Sequence, residues 1–153
     1  MAAGVSATIS NPTGFGELLE QMTDVASEST LRKATVAGAR VIMGEIKLRA
    51  PIGLKSHKRS GTVYPPGTLK KNIIIFHDAE NSSVAGRLQT YSIVIGRDAF
   101  YGLLVEDGYQ AEHGNSHAAA HPFFRPAVDA KTQQALQTIV DMLASALTEV
   151  QNG

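Results

Sequence analysis

Three histidines stand four residues apart, His113, His117 and His121. On a helix that spacing would gather the imidazoles on one face, a donor set suited to zinc. The same stretch contains Gly114, Asn115 and Ser116, and Pro122 follows it, so the sequence predicts no continuous helix there. Nothing nearby nominates the hydrogen-bond partners that would fix each ring. The segment reads as a histidine-containing loop, with no metal and no cofactor expected.

Other catalytic arrangements are weaker still. The chain has no cysteine, which excludes disulfides, thiolate metal sites and cysteine nucleophiles. No serine sits in a G-x-S-x-G elbow. Glu106 and Asp107 are adjacent carboxylates, but sequence neighbours point apart more often than they share a proton, so they read as the charged end of a short element. Gly14 and Gly16 precede a helical pattern without the strand, third glycine and lysine of a phosphate loop. We expect no enzyme.

The remaining cluster is basic. Lys55, Lys58 and Arg59, with Lys70 and Lys71 beyond, could neutralise phosphates without reading sequence, or simply form a solvated loop. The 14 Lys and Arg balance the 14 Asp and Glu, so a nucleic-acid contact would have to be local. No apolar run approaches the roughly 20 residues that a membrane helix needs, and no membrane partner is expected.

The elements that position these residues follow from periodicity. In a chain of 153 residues, 43% hydrophobic and 18% charged, we expect one domain over 14–153 after a flexible leader over 1–13. Phe15, Leu18, Leu19, Met22 and Val25 or Ala26 predict a first helix, interrupted by Ser27, Ser29 and Thr30. Leu31, Gly38, Ile42 and Ile46 carry a second helix up to Arg49, stopped by Pro51. Residues 51–67 read as a long connection, in which Ile52, Leu54, Val63 and Tyr64 have no evident core partner. Asn72 to His77 predicts a strand buried on both faces, and Thr90 to Gly96 a half-buried one. Between Asp98 and Asp107 a short helix, capped by Asp98 and ended by Gly108, is preferred over a strand. A final helix starts near Pro126, its stripe formed by Val128, Thr132, Leu136, Ile139, Leu143, Leu147 and Val150. The sum is an α+β fold, amphipathic helices packed on one face of a small antiparallel β-sheet with a long C-terminal helix.

Tyr101, Glu106 and Gly108, followed after a loop by Pro122-Phe123-Phe124-Arg125-Pro126-Ala127 and a helix, form a specific pattern. It resembles the tail-completion, or head–tail joining, proteins of long-tailed bacteriophages. The order of elements from Phe15 to Val150 agrees with that family, while the order Gly67-Thr68 and the Tyr109 after Gly108 depart from it. The resemblance implies a ring-forming structural subunit of the virion neck or tail, made in the bacterial host cytoplasm. Its partners would be copies of itself, the phage connector and tail-tube proteins, and DNA passing without sequence specificity. On that reading Ile52, Leu54, Val63 and Tyr64 are candidates for assembly contacts, and Lys55, Lys58 and Arg59 for the DNA channel. Glu106 and Arg125 are a candidate bidentate pair, most simply one that stabilises the fold, and Phe123 and Phe124 are most simply core. A second function class stays open: a small nucleic-acid-binding module acting through the basic loop 55–59.

Overall fold

The computed structural model describes residues 5–10, 24–82, 88–110 and 117–152. Its elements, in chain order, are β1 (Ser6–Ser10), α1 (Asp24–Arg49), β2 (His57–Arg59), β3 (Thr62–Tyr64), α2 (Thr68–Lys71), β4 (Ile73–His77) and β5 (Thr90–Ile95). A 3₁₀ turn (Arg97–Ala99), α3 (Gly102–Asp107), β6 (Tyr109–Gln110), β7 (His117–Ala118) and α4 (Phe124–Asn152) complete them.

The main sheet has the strand order β1-β5-β4, antiparallel throughout. Its register sets Ile73 opposite Ile95, and Ile75 and Ala7 on either side of Ile93, so alternate residues of three strands make one apolar row. Helix α1 lays Ala39, Ile42 and Ile46 into the core that contains Ile73 and Ile93. Helix α4 runs antiparallel to α1: Leu31 and Ala34 cluster with Ile139 and Leu143, while Ala39 to Ala50 share a core with Phe123, Phe124 and Ala127. At the crossing, a Cβ on Gly38 would stand 2.7 Å from Ile139 and 3.0 Å from the carbonyl of Ala135. Only glycine allows the two backbones that approach. The α+β class read from the sequence is the class observed.

Several boundaries differ from expectation. The leader expected over 1–13 includes an edge strand, because Ser6–Ser10 alternates Ala7 and Ile9 inward against Ser6, Thr8 and Ser10 outward. Two apolar residues in five were too weak a signal. The first predicted helix falls mostly outside the described residues, but its expected interruption at Ser27 to Thr30 does not occur, since α1 is continuous from Asp24. Burial of Leu31 and Ala34 against α4 outweighs the serine and threonine propensities.

Strand β4 is buried on one face only. Ile73 is inside, whereas Ile74 and Phe76 are 45% and 58% exposed at the sheet edge. An unbroken apolar run cannot by itself distinguish a central strand from a sticky edge. Helix α4 begins at Phe124, two residues before Pro126, and turns Ala127 and Ala135 inward in place of the expected Thr132 and Leu136. Small residues win those positions where α4 lies closest to α1.

Candidate assembly surface

Residues 51–67 are not an irregular loop throughout. Arg59 pairs with Thr62, leaving Ser60 and Gly61 as a two-residue turn with φ of 49° and 85°. Positive φ at both positions matches the mirror-image turn that suits the strand twist, and Ser-Gly is the local signal for it. The resulting hairpin, β2–β3, has three residues a side and would be marginal alone. The Arg59 guanidinium lies 4.1 Å from the centre of the Phe100 ring, a cation–π contact worth about 0.5–1 kcal/mol at such a site. It ties the hairpin to the turn before α3.

Behind the hairpin the chain turns back through Pro65 to Gly67. The carbonyl of Pro65 accepts from the Thr68 hydroxyl at 2.7 Å and from its N–H at 3.2 Å, and Gly67 supplies the left-handed residue ahead of α2. The two prolines, Pro51 to Gly53 and Leu69 then face Phe100, Tyr101, Leu104 and Val105 across an apolar cleft of about 610 Å³, which Lys55 and His121 also line. The chain next to its lining residues also carries exposed apolar side chains. Leu54 is 98% exposed, and Leu48, Ile52 and Val63 are each more than half exposed. Tyr64 is half-buried. Clusters of this kind on a folded surface mark sites of association.

The side of the cleft formed by α3 is fixed from beneath. Glu106, 1% exposed, accepts three backbone N–H groups at the start of α4: Phe123 at 2.7 Å and Phe124 at 2.8 Å on Oε2, and Arg125 at 3.0 Å on Oε1. A carboxylate there also meets the positive end of a 29-residue helix dipole. The expected Glu106–Arg125 side-chain pair is therefore corrected. Glu106 binds the backbone, and the Arg125 guanidinium reaches Asp107 Oδ1 at 2.8 Å on the exposed side. The family resemblance implied that the two residues meet but could not say through which atoms.

The other residues of the 101–126 pattern take structural places. Tyr101 is the residue preceding α3, half-buried, edge-on to Phe100 at 5.8 Å, and its hydroxyl pKa is pushed up by burial. The expected Asp98 cap instead falls within the 3₁₀ turn. Gly108 ends α3 with φ 73°, where a Cβ would lie 2.7 Å from the Ala118 carbonyl and 2.8 Å from the Ala120 nitrogen. Gly102 was not singled out by sequence, yet a Cβ there would press within 3 Å of Leu69 and Ile95. Pro122 is exposed ahead of the buried Phe123 and Phe124.

Of the basic candidates, Lys55 and Lys58 are exposed, while Arg59 is engaged by Phe100. His113 lies outside the described residues. His117 falls in β7, and His121 is exposed in the approach to α4, its backbone N–H donating to the Val105 carbonyl at 2.7 Å. Among the described residues no three His, Cys, Asp or Glu side chains are grouped to hold a metal, and no helix is long and apolar enough to cross a membrane.

A small α+β chain whose notable surface is an apolar cleft with a basic hairpin has the features of a protein that works by association. Residues 14–108 match the family described as "Bacteriophage HK97-gp10, putative tail-component", and the chain belongs to that family. It is a phage tail component, a constituent of the virion with other phage structural proteins as partners. The match covers the cleft-lining residues from Pro51 to Val105 but not His121, and ends at Gly108, before the Pro122 to Ala127 segment. No curated protein and no solved structure matches the chain.

Proposed function

We propose that this chain is a ring-forming, non-enzymatic subunit of the phage neck that joins the capsid connector to the tail tube. The observation that carries the reading is the cleft with its surround of Ile52, Leu54 and Val63, apolar surface displayed by a member of a tail-component family. Copies of the chain meet through two different surfaces, as closed rings with heterologous contacts require. DNA that passes through the ring is held weakly and without sequence preference.

The test is complementation of assembly. Phage produced without this chain should accumulate filled heads and separate tails, and purified chain added to that extract should restore joined, infectious particles. Particles that join normally without it would remove the joining role. Tight, sequence-specific DNA binding at physiological salt would favour the nucleic-acid module instead.

A further inference from the structure

Charge is distributed unevenly along this neutral chain. Between Pro51 and His77 there are five Lys and Arg and no Asp or Glu, and between Asn72 and Gly86 there are two acids, Asp78 and Glu80, and no Lys or Arg. Strand β4 links the two regions. It starts beside α2, which carries Lys70 and Lys71 and contributes Leu69 to the cleft, and it ends at Asp78. Five residues of strand separate the ends by about 17 Å. The cleft is thus at the basic end of β4, and the acidic turn is at the other.

The acidic end also carries an apolar projection. Phe76 points to the outer face of the sheet and is 58% exposed, with Asp78 two residues and Glu80 four residues further on. Its outer-face neighbours are Ser92 and Val94 on β5 and the exposed Ile74 on its own strand, so the ring stands at the edge of a mixed face. Asn81 donates to both carboxylate oxygens of Asp78, through its backbone N–H at 3.1 Å and its side chain at 2.8 Å. Those bonds hold the Asp78 carboxyl below its ordinary range, so the turn is fixed and charged at neutral pH.

We infer that the cleft is the docking site for a second copy of this chain, which inserts Phe76 between the prolines and the Phe100–Tyr101 side while its Asp78 and Glu80 face Lys55 and Lys58. The match is of kind and of sign: an exposed aromatic flanked by carboxylates, and an aromatic-lined apolar cleft flanked by lysines. The contact joins two different surfaces, so each copy uses one of each and the chain of contacts continues from copy to copy. This deepens the self-association proposed above and rests on it.

The experiment is a charge exchange followed by sedimentation velocity of the full chain over a range of concentration and salt. Lys55→Glu with Lys58→Glu reverses the cleft side; Phe76→Ser with Glu80→Lys alters the projection, and Glu80→Lys alone reverses only its charge. Each altered residue is exposed, and unchanged thermal melts would verify folding. The wild type should self-associate, less as salt rises. The K55E/K58E and E80K chains alone should each associate about tenfold or more weakly, and F76S/E80K more weakly still. Mixing K55E/K58E with E80K should restore association, because the reversed cleft of one then meets the reversed turn of the other. Wild-type chain that remains monomeric throughout, variants that associate as the wild type does, or a mixture without recovery would each overturn the assignment. Head–tail complementation is scored separately, so a chain that restores joining but associates through other surfaces would sink this contact and leave the neck role standing.

Discussion

Glu106 and Pro126 between them account for the unpaired backbone at the start of α4. A helix leaves its first four N–H groups without intrahelical acceptors. Here the Glu106 carboxylate takes those of Phe123, Phe124 and Arg125, and the next residue, Pro126, has no N–H to satisfy. The glutamate comes from α3, so the cap is also a tertiary tie.

Replacing Glu106 by Gln should expose how much that tie contributes. The amide keeps one acceptor and turns a donor toward buried N–H groups, and we expect a loss of about 2–4 kcal/mol. Asp107→Asn, which removes only the exposed pair with Arg125, should cost about 0–1 kcal/mol. Urea unfolding followed by circular dichroism gives both values, and equal losses would show that the cap has been overrated.

Two glycines of α1 should respond in opposite directions. Gly38→Ala places a Cβ against Ile139 and should cost about 1–3 kcal/mol through strain at the helix crossing. Gly44 is exposed, with nothing within 4 Å of its added Cβ, so Gly44→Ala should stabilise by about 0.4–1 kcal/mol. Paired thermal melts decide; a stabilising Gly38→Ala would mean the helices separate readily.

The hairpin should be dispensable for folding. Among the described side chains of Ile52 to Tyr64 none belongs to the buried core, so replacing that stretch with a short glycine-serine linker should shift stability by about 1 kcal/mol or less, the scale of the Arg59–Phe100 contact. Incorporation into particles should fail. A deletion that unfolds the protein, or that still yields joined particles, would contradict the reading.

Changing His113, His117 and His121 together to alanine should leave the melt within about 0.5 kcal/mol of wild type, as for surface positions generally. Zinc retained in stoichiometric amount by protein purified without added metal would reverse that expectation.

Periodicity made the second half of α1, the existence of β4 and β5, and α4 legible, because their burial is one-sided or nearly so and the apolar residues mark it. It missed β1, where only Ala7 and Ile9 face inward, and misjudged β4, whose uninterrupted Ile73 to Phe76 hides an exposed edge. The hairpin escaped although Ser60-Gly61 was readable as its turn, since the surrounding prolines and lysines argued for a loop. At the cap, the family resemblance implied that Glu106 and the 123–126 segment belong together. The acceptor's true partners are backbone atoms, which every residue possesses and no residue type announces.

The cap has a mechanical consequence. Three hydrogen bonds into one buried carboxylate join α3, which borders the cleft, to the root of α4, and α4 is in turn packed along α1 through Ala135, Ile139 and Leu143. A helix of 29 residues is about 43 Å long, so the anchor at its root is carried over most of the subunit. A side chain lodged against Tyr101 and Leu104 therefore bears on a wall that is anchored, through Glu106, to the two-helix layer behind it.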